Sequence, residues 1–245
     1  MSGQSAVLRA PYDQDPREQL LSRLRGFSRL TPAEANLVLT CGPAETLRRG
    51  SELRRDDGAP ARARLIVSGW ACYQRVLPDG RRQIFGFILP GDLTGVFAEP
   101  NALRLADASA VTGLETLGAS ALQRALTSEA DRYPGLALAL IRMAAAEEAR
   151  LLDQIMRLGR QTAYERVAHL LLELQERMQA AGLADGMRFA LPLTQETLAD
   201  ALGLSIVHLN RILQQLRRER IIELKGGTVT LVDPGYLAVV SDRRT

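Results

Sequence analysis

Residues 194–219 read TQETLADALGLSIVHLNRILQQLRRE, and this stretch decides the fold of the C-terminal part of the chain. Thr194 offers a hydroxyl that can cap the helix QETLADAL. Three residues on, the chain has Thr197; the acid Glu196 comes one place too early for a full capping box. Ala199 permits close helix approach, and Gly203, four residues later, suits a tight turn. Ser205 then caps a second helix. On it Leu209, Ile212, Leu213 and Leu216 recur at helical spacing as an inward stripe, leaving Ile206, Val207, His208, Asn210, Arg211 and Gln214 on the other faces. Two capped helices across a short turn predict a helix-turn-helix, whose second helix enters a DNA major groove with its N-terminal residues near base edges.

The flanking sequence extends this unit. Residues 220–232, RIIELKGGTVTLV, form a hairpin pattern whose Lys225-Gly226-Gly227 tip makes a wing able to touch phosphate. Arg217, Arg218, Arg220 and Lys225 concentrate positive charge around it. Upstream, 162–181 reads as a helix with Val167, Leu170, Leu171 and Leu174, followed by the strand pattern MRFALPL at 187–193.

The N-terminal half has a different texture. Residues 17–40 read as two helices, with Leu20, Leu21, Leu24, Leu37 and Leu39 on apolar faces and Thr31-Pro32 opening the second. From Ala44 to Gly118 short runs are broken by glycine. ARLIVSGWACYQRVL, PDG, RRQIFGFIL and PGD read as strand, turn, strand, turn, and such spacing predicts a small antiparallel barrel or jelly roll. A short helix from Ser120 ends near Asp131. Pro134 then opens a long helix to about Leu158, with Leu140, Ala144, Leu151, Ile155 and Leu158 on one face and Gly159 as a candidate hinge. That face can pack on its own chain or on a partner helix; Glu148 near the seam counts against a pure coiled coil.

Bulk properties narrow the function classes. A chain of 245 residues that is 46% hydrophobic can bury a sizeable core and is long enough for two domains. The net charge of +3 does not by itself indicate nucleic acid; the placement of the arginines matters more. Lys225 is the only lysine, a bias that fits a GC-rich genome. Cys41 and Cys72 lie far apart without CxxC spacing, which gives no disulfide framework or cluster site; each reads as core packing, with sensing of oxidation as the alternative. No run approaches the roughly 20 apolar residues that span a membrane, and the polar N-terminus is no signal peptide, so a cytoplasmic protein is expected. No catalytic triad, P-loop or dinucleotide fingerprint is present, and the chain reads as a non-enzyme.

SGWACYQRVLPDGRRQIFGFILPGDLTGVF, the helix from Pro134, and LTQETLADALGLSIVHLNRILQQLRRERIIELKGGTVTLVD together resemble the Crp/Fnr family of bacterial transcription regulators, from about Leu20 to Leu237. The resemblance implies an α+β fold: an N-terminal antiparallel, jelly-roll-like β-roll with flanking helices, a long dimerisation helix and a C-terminal winged helix-turn-helix. In residues these are a cyclic-nucleotide-binding-like sensor domain (1–131), dimerisation helix and hinge (132–160), and DNA-binding domain (161–245). It implies double-stranded DNA and a second copy of the chain as partners, with RNA polymerase and a small-molecule effector as further ones. The long-helix face Leu140, Ala144, Leu151, Ile155 and Leu158 becomes the expected dimer interface. A two-fold dimer places two recognition helices about 34–36 Å apart, on an inverted-repeat operator.

Relatives commonly present Arg-Glu, or Glu, after the capping serine and another Arg just over a turn later. Arg211 occupies that later position, but Ile206 and Val207 fill the earlier ones and cannot hydrogen-bond a base. Apolar contact with a thymine methyl remains open to them, with His208 and Asn210 as polar readers. Thr194 and Gln195 match phosphate-contacting positions. The expected DNA-binding set is therefore Thr194, Gln195, Ser205, Ile206, Val207, His208, Asn210, Arg211, Gln214, Arg218 and Lys225. The apolar pair also motivates an alternative, in which the winged-helix surface docks a protein.

For the sensor, nucleotide-binding relatives place Gly-Glu after the PGD turn; here Gly95-Val96 lacks the carboxylate. Arg104 approximates a phosphate arginine, but Leu105 follows it without a hydroxyl, and Leu151 and Leu152 stand where relatives present polar groups to the base. Cyclic AMP is disfavoured, and Arg104, Leu151 and Leu152 remain the candidate effector positions. Two separated cysteines cannot hold an iron–sulfur cluster, and His169 and His208 both lie beyond the sensor, so neither haem, metal nor another cofactor is called for.

Overall fold

The computed structural model describes residues 15–53, 62–96 and 107–242. Two helices open the chain: α1 (Pro16–Phe27), capped by Asp15, and α2 (Pro32–Leu39), where Thr31 and Glu34 form a reciprocal capping box. Seven strands follow: β1 (Ala44–Leu47), β2 (Arg64–Ser68), β3 (Ala71–Val76), β4 (Arg82–Ile88), β5 (Leu93–Thr94), β6 (Asp107–Ala110) and β7 (Leu114–Gly118). They form two sheets, in the orders β1-β7-β2-β5 and β4-β3-β6. The sequence ARLIVSGWACYQRVL, expected as one strand, is two. Gly69 sits at φ 82°, and a Cβ there would lie 2.0 Å from the Gly113 carbonyl oxygen, so the chain must turn at this glycine. Helix α3 (Ser120–Leu126) stops short of the expected Asp131, and α4 (Pro134–Arg160) runs unbroken through Gly159.

Packing divides the chain into two units. The first comprises the described residues up to Tyr73 and Phe87–Leu151; the second comprises Gln74–Gly86 and the residues from Leu152 onward. In the first, Leu20, Leu21 and Leu24 of α1 pack with Leu65, Leu117, Leu122, Leu136 and Leu140 in a core outside the roll. Leu53, Ile66, Ile88 and Leu114 fill its interior. Glu34, almost fully buried, ties α2 to the start of α4: its carboxylate accepts from the Thr31 N–H at 2.7 Å and the Leu136 N–H at 2.9 Å. Burial is the largest single influence and pushes this carboxyl up, but the hydrogen bonds together carry it below the ordinary value. Cys41 and Cys72 are both buried, and burial raises the Cys41 thiol to about 11 against the pull of Arg17.

The second unit contains α5 (Ala163–Ala180), β8 (Ala184–Asp185), β9 (Arg188–Ala190), α6 (Gln195–Leu202), α7 (Ile206–Arg218), β10 (Ile222–Lys225), β11 (Thr228–Leu231) and α8 (Pro234–Val240). The strands form one antiparallel sheet, β10-β11-β9-β8. Helix α8 follows Asp233-Pro234, a cap and N1 proline. Val167, Leu171 and Leu174 of α5 are buried with Phe189, Val229, Leu231 and Leu237. The last turns of α4 are bound within this unit. Asp153 lies 2.8 Å from the buried His169, Arg157 lies 2.7 Å from Glu173, and Gln154 donates to the Ala201 carbonyl at 2.9 Å. No helix among the described residues is long and apolar enough to cross a membrane.

Candidate nucleic-acid interface

Local chemistry sets the angle between α6 and α7. The Thr194 hydroxyl accepts from the Thr197 N–H at 3.1 Å and exchanges a hydrogen bond with the Thr197 hydroxyl at 2.8 Å. Threonine thus closes the cap that lacks a box glutamate. Helix α6 ends at Gly203 in the left-handed region, φ 63°, where a Cβ would meet Leu158 Cδ2 at 3.3 Å. Arg166 donates to the Leu202 carbonyl at 3.0 Å and satisfies an orphan acceptor at the helix end. Ser205 caps α7 by accepting from the His208 N–H at 3.2 Å.

Helix α7 divides cleanly into two faces. Leu209, Ile212, Leu213 and Leu216 are buried. Val207, Arg211, Gln214 and Arg218 are exposed along the opposite face, and Ile206 and His208 are exposed beside it. Val207 is 62% exposed and Ile206 44%. Thr194, Gln195 and Ser205 are exposed at the two helix N-termini, Lys225 is exposed at the wing turn, and Asn210 is half-buried. One pairing was not legible in the sequence: Asn210 Nδ2 donates to Gln195 Oε1 at 2.9 Å. Fifteen residues separate these positions, and only the closing turn at Gly203 brings them together.

The long helix corrects part of the expected interface. Leu140 is fully buried in its own unit's core, Ala144 and Leu158 are half-buried, and Leu151 and Ile155 are exposed. Exposed positions on the helix include Leu138, Ile141, Ala145, Glu148, Leu152, Ile155 and Gly159, spaced by alternating steps of three and four as a heptad seam is. Its outward position was legible only by counting sevens from Leu138.

In the first unit a cavity of about 410 Å³ lies between β5, β6 and α4. Arg23 and Asp92 face it as an ion pair at 2.8 Å, and the Tyr73 hydroxyl bonds Thr94 at 2.9 Å beside it. Burial pushes the Tyr73 phenol up. Glu147 and Arg150 of α4 pair at its edge, and Leu151 lines it. Leu152 does not line the cavity; it is 61% exposed on the outward seam, one step round the helix from Leu151. Arg104 lies outside the described residues.

The described residues thus hold a β-roll with flanking helices and a winged helix-turn-helix whose second helix exposes Arg211, Gln214 and Arg218 beside the apolar Ile206 and Val207. Residues 165–240 match the family model of the Crp-like helix-turn-helix domain. The chain is 32% identical over 198 residues to the nitrogen fixation regulation protein FixK of Azorhizobium caulinodans, covering 81% of this chain and 78% of that protein. It is 33% identical over 165 residues to the transcriptional activator protein FnrL of Cereibacter sphaeroides, covering 66% of this chain and 64% of that one. The structure of FixK2 from Bradyrhizobium japonicum superposes with a TM-score of 0.71 at 30% identity, over 83% of this chain and 98% of that one. The chain belongs to the Crp/Fnr family and is a DNA-binding transcription regulator.

Proposed function

We propose that the chain works in the cytoplasm as a homodimer on an inverted-repeat operator, with α7 as the reading helix. The observation that carries this is the two-faced α7. It buries Leu209, Ile212, Leu213 and Leu216, and it leaves Val207, Arg211, Gln214 and Arg218 free on one face. Arg211 takes a guanine edge by two parallel hydrogen bonds. Thr194, Gln195, Arg218 and Lys225 hold phosphates and set the register. His208 and Asn210 flank the reading face, and the Ser205 cap fixes its first turn.

The exposed apolar residues of α4, Leu138, Ile141, Leu152 and Ile155, support pairing with a second copy, because burying them removes apolar surface from water. The domain division is 1–131, 132–160 and 161–245. A small molecule other than cyclic AMP occupies the β-roll cavity, whose charged groups are already paired in part with one another, and RNA polymerase is the partner at promoters. Duplex affinity measured against salt tests the DNA reading. Each phosphate contact contributes a slope of about −0.9 in log affinity against log salt, so a steep negative slope is expected. Affinity independent of salt contradicts it.

A further inference from the structure

The exposed face of α7 has a centre, and the residue at its leading end is apolar. At roughly 100° per residue, Val207, Arg211, Gln214 and Arg218 fall within about 60° of one another around the helix. The buried Leu209, Ile212, Leu213 and Leu216 lie on the opposite side. Ile206 and His208 project about 100° to either side of Val207, toward the walls of a groove rather than its floor. Asn210 is also off this line, and its amide N–H is engaged by Gln195. Its donor therefore serves to hold the two helices in register. The axis of the reading face begins at Val207, most of whose surface is open to solvent.

A valine on that axis has no hydrogen bond to give or accept. The one apolar group that B-DNA displays in the major groove is the C5-methyl of thymine. We propose that Val207 determines specificity by packing its two methyls against the C5-methyl of a thymine in each half-site; this rests on α7 being the reading helix. Arg211 stands four residues further on, about 6 Å along the helix axis, so the thymine lies within about two base pairs of the guanine that Arg211 reaches. The pairing of an apolar leading residue with an arginine one turn later fixes a T-near-G pattern, and the Gln195–Asn210 bond holds α7 at the depth that contact needs.

Deoxyuridine scanning tests the proposal. A duplex carrying the inverted repeat selected by the full-length protein is made with deoxyuridine replacing thymidine at one symmetric pair of positions at a time, and each affinity is measured. Deoxyuridine keeps every hydrogen-bonding group and lacks only the methyl. The wild type should weaken about fourfold per methyl removed, or roughly fifteenfold for a symmetric pair, at one pair near the Arg211 guanine. Val207→Ala, which loses both γ-methyls and keeps only Cβ, should show a smaller deoxyuridine penalty at that pair than the wild type. Val207→Glu, which can accept from a cytosine amino group, should lose the methyl dependence and shift the preferred base at that position. No methyl-sensitive pair in the wild type, or a penalty undiminished in both variants, overturns the proposal. Selection that yields no motif at all overturns the reading-helix assignment, and this inference with it.

Discussion

At the residue scale, Arg211, exposed on the axis of α7, is the proposed polar reader of a base. Replacing Arg211 by Ala should weaken binding to the specific duplex by about 1–3 kcal/mol and relax preference at one base pair, with binding to unrelated duplex nearly unchanged. Competition against scrambled duplex measures the difference; an equal loss on both would mean a phosphate role. Glu34 makes a second test at this scale. Its carboxyl titrates below the ordinary value of 4.5 in the folded chain. The stability it adds is therefore complete above that value and is lost as pH falls through the folded one. Chemical denaturation at pH 7 and at pH 4 should show a larger loss for the wild type than for Glu34→Gln. Glu34→Ala should cost about 1–3 kcal/mol at pH 7, because it orphans the buried N–H of Leu136.

At the element scale, a helix with one apolar face was legible and a helix with two was not. The inward stripe of α7 follows from spacing alone, because its other residues are polar or lead the helix. In α4 the first turns are apolar all round: Leu136, Ala137, Leu140 and Met143 are buried, whereas Leu138 and Ile141 are exposed. Helical spacing alone selected Leu140, and only packing by α1 and α3 shows that this residue is taken. The strand broken at Gly69 was hidden for a similar reason, since apolar residues lie close on both sides of the turn and only the approach of Gly113 forces it. Short elements such as β8 and α8 left little periodic signal. The outward seam carries the prediction for this scale. Ile155→Asp places a charge on it without touching either core, and should convert a dimer to a monomer in analytical ultracentrifugation and weaken inverted-repeat binding together. A variant that keeps the wild-type association state would rule the seam out as the dimer interface.

At the scale of the whole molecule, packing divides the described residues into two units whose membership was not legible in the sequence. Gln74–Gly86 packs with the second unit although the chain places it in the middle of the β-roll sequence. The final turns of α4 are fixed there as well, by Asp153, Gln154 and Arg157. The cavity is equally a product of distant segments, joining Arg23 of α1, Asp92 and Thr94 near β5, and Leu151 of α4. No local pattern announces such a meeting. Selection from random duplexes with the protein shows whether two copies of α7 read DNA together. Recovery of an inverted repeat is expected, its half-site centres about 34–36 Å apart, one helical turn, each with a thymine near a guanine. Recovery of single, unpaired sites, or of no motif, would contradict it.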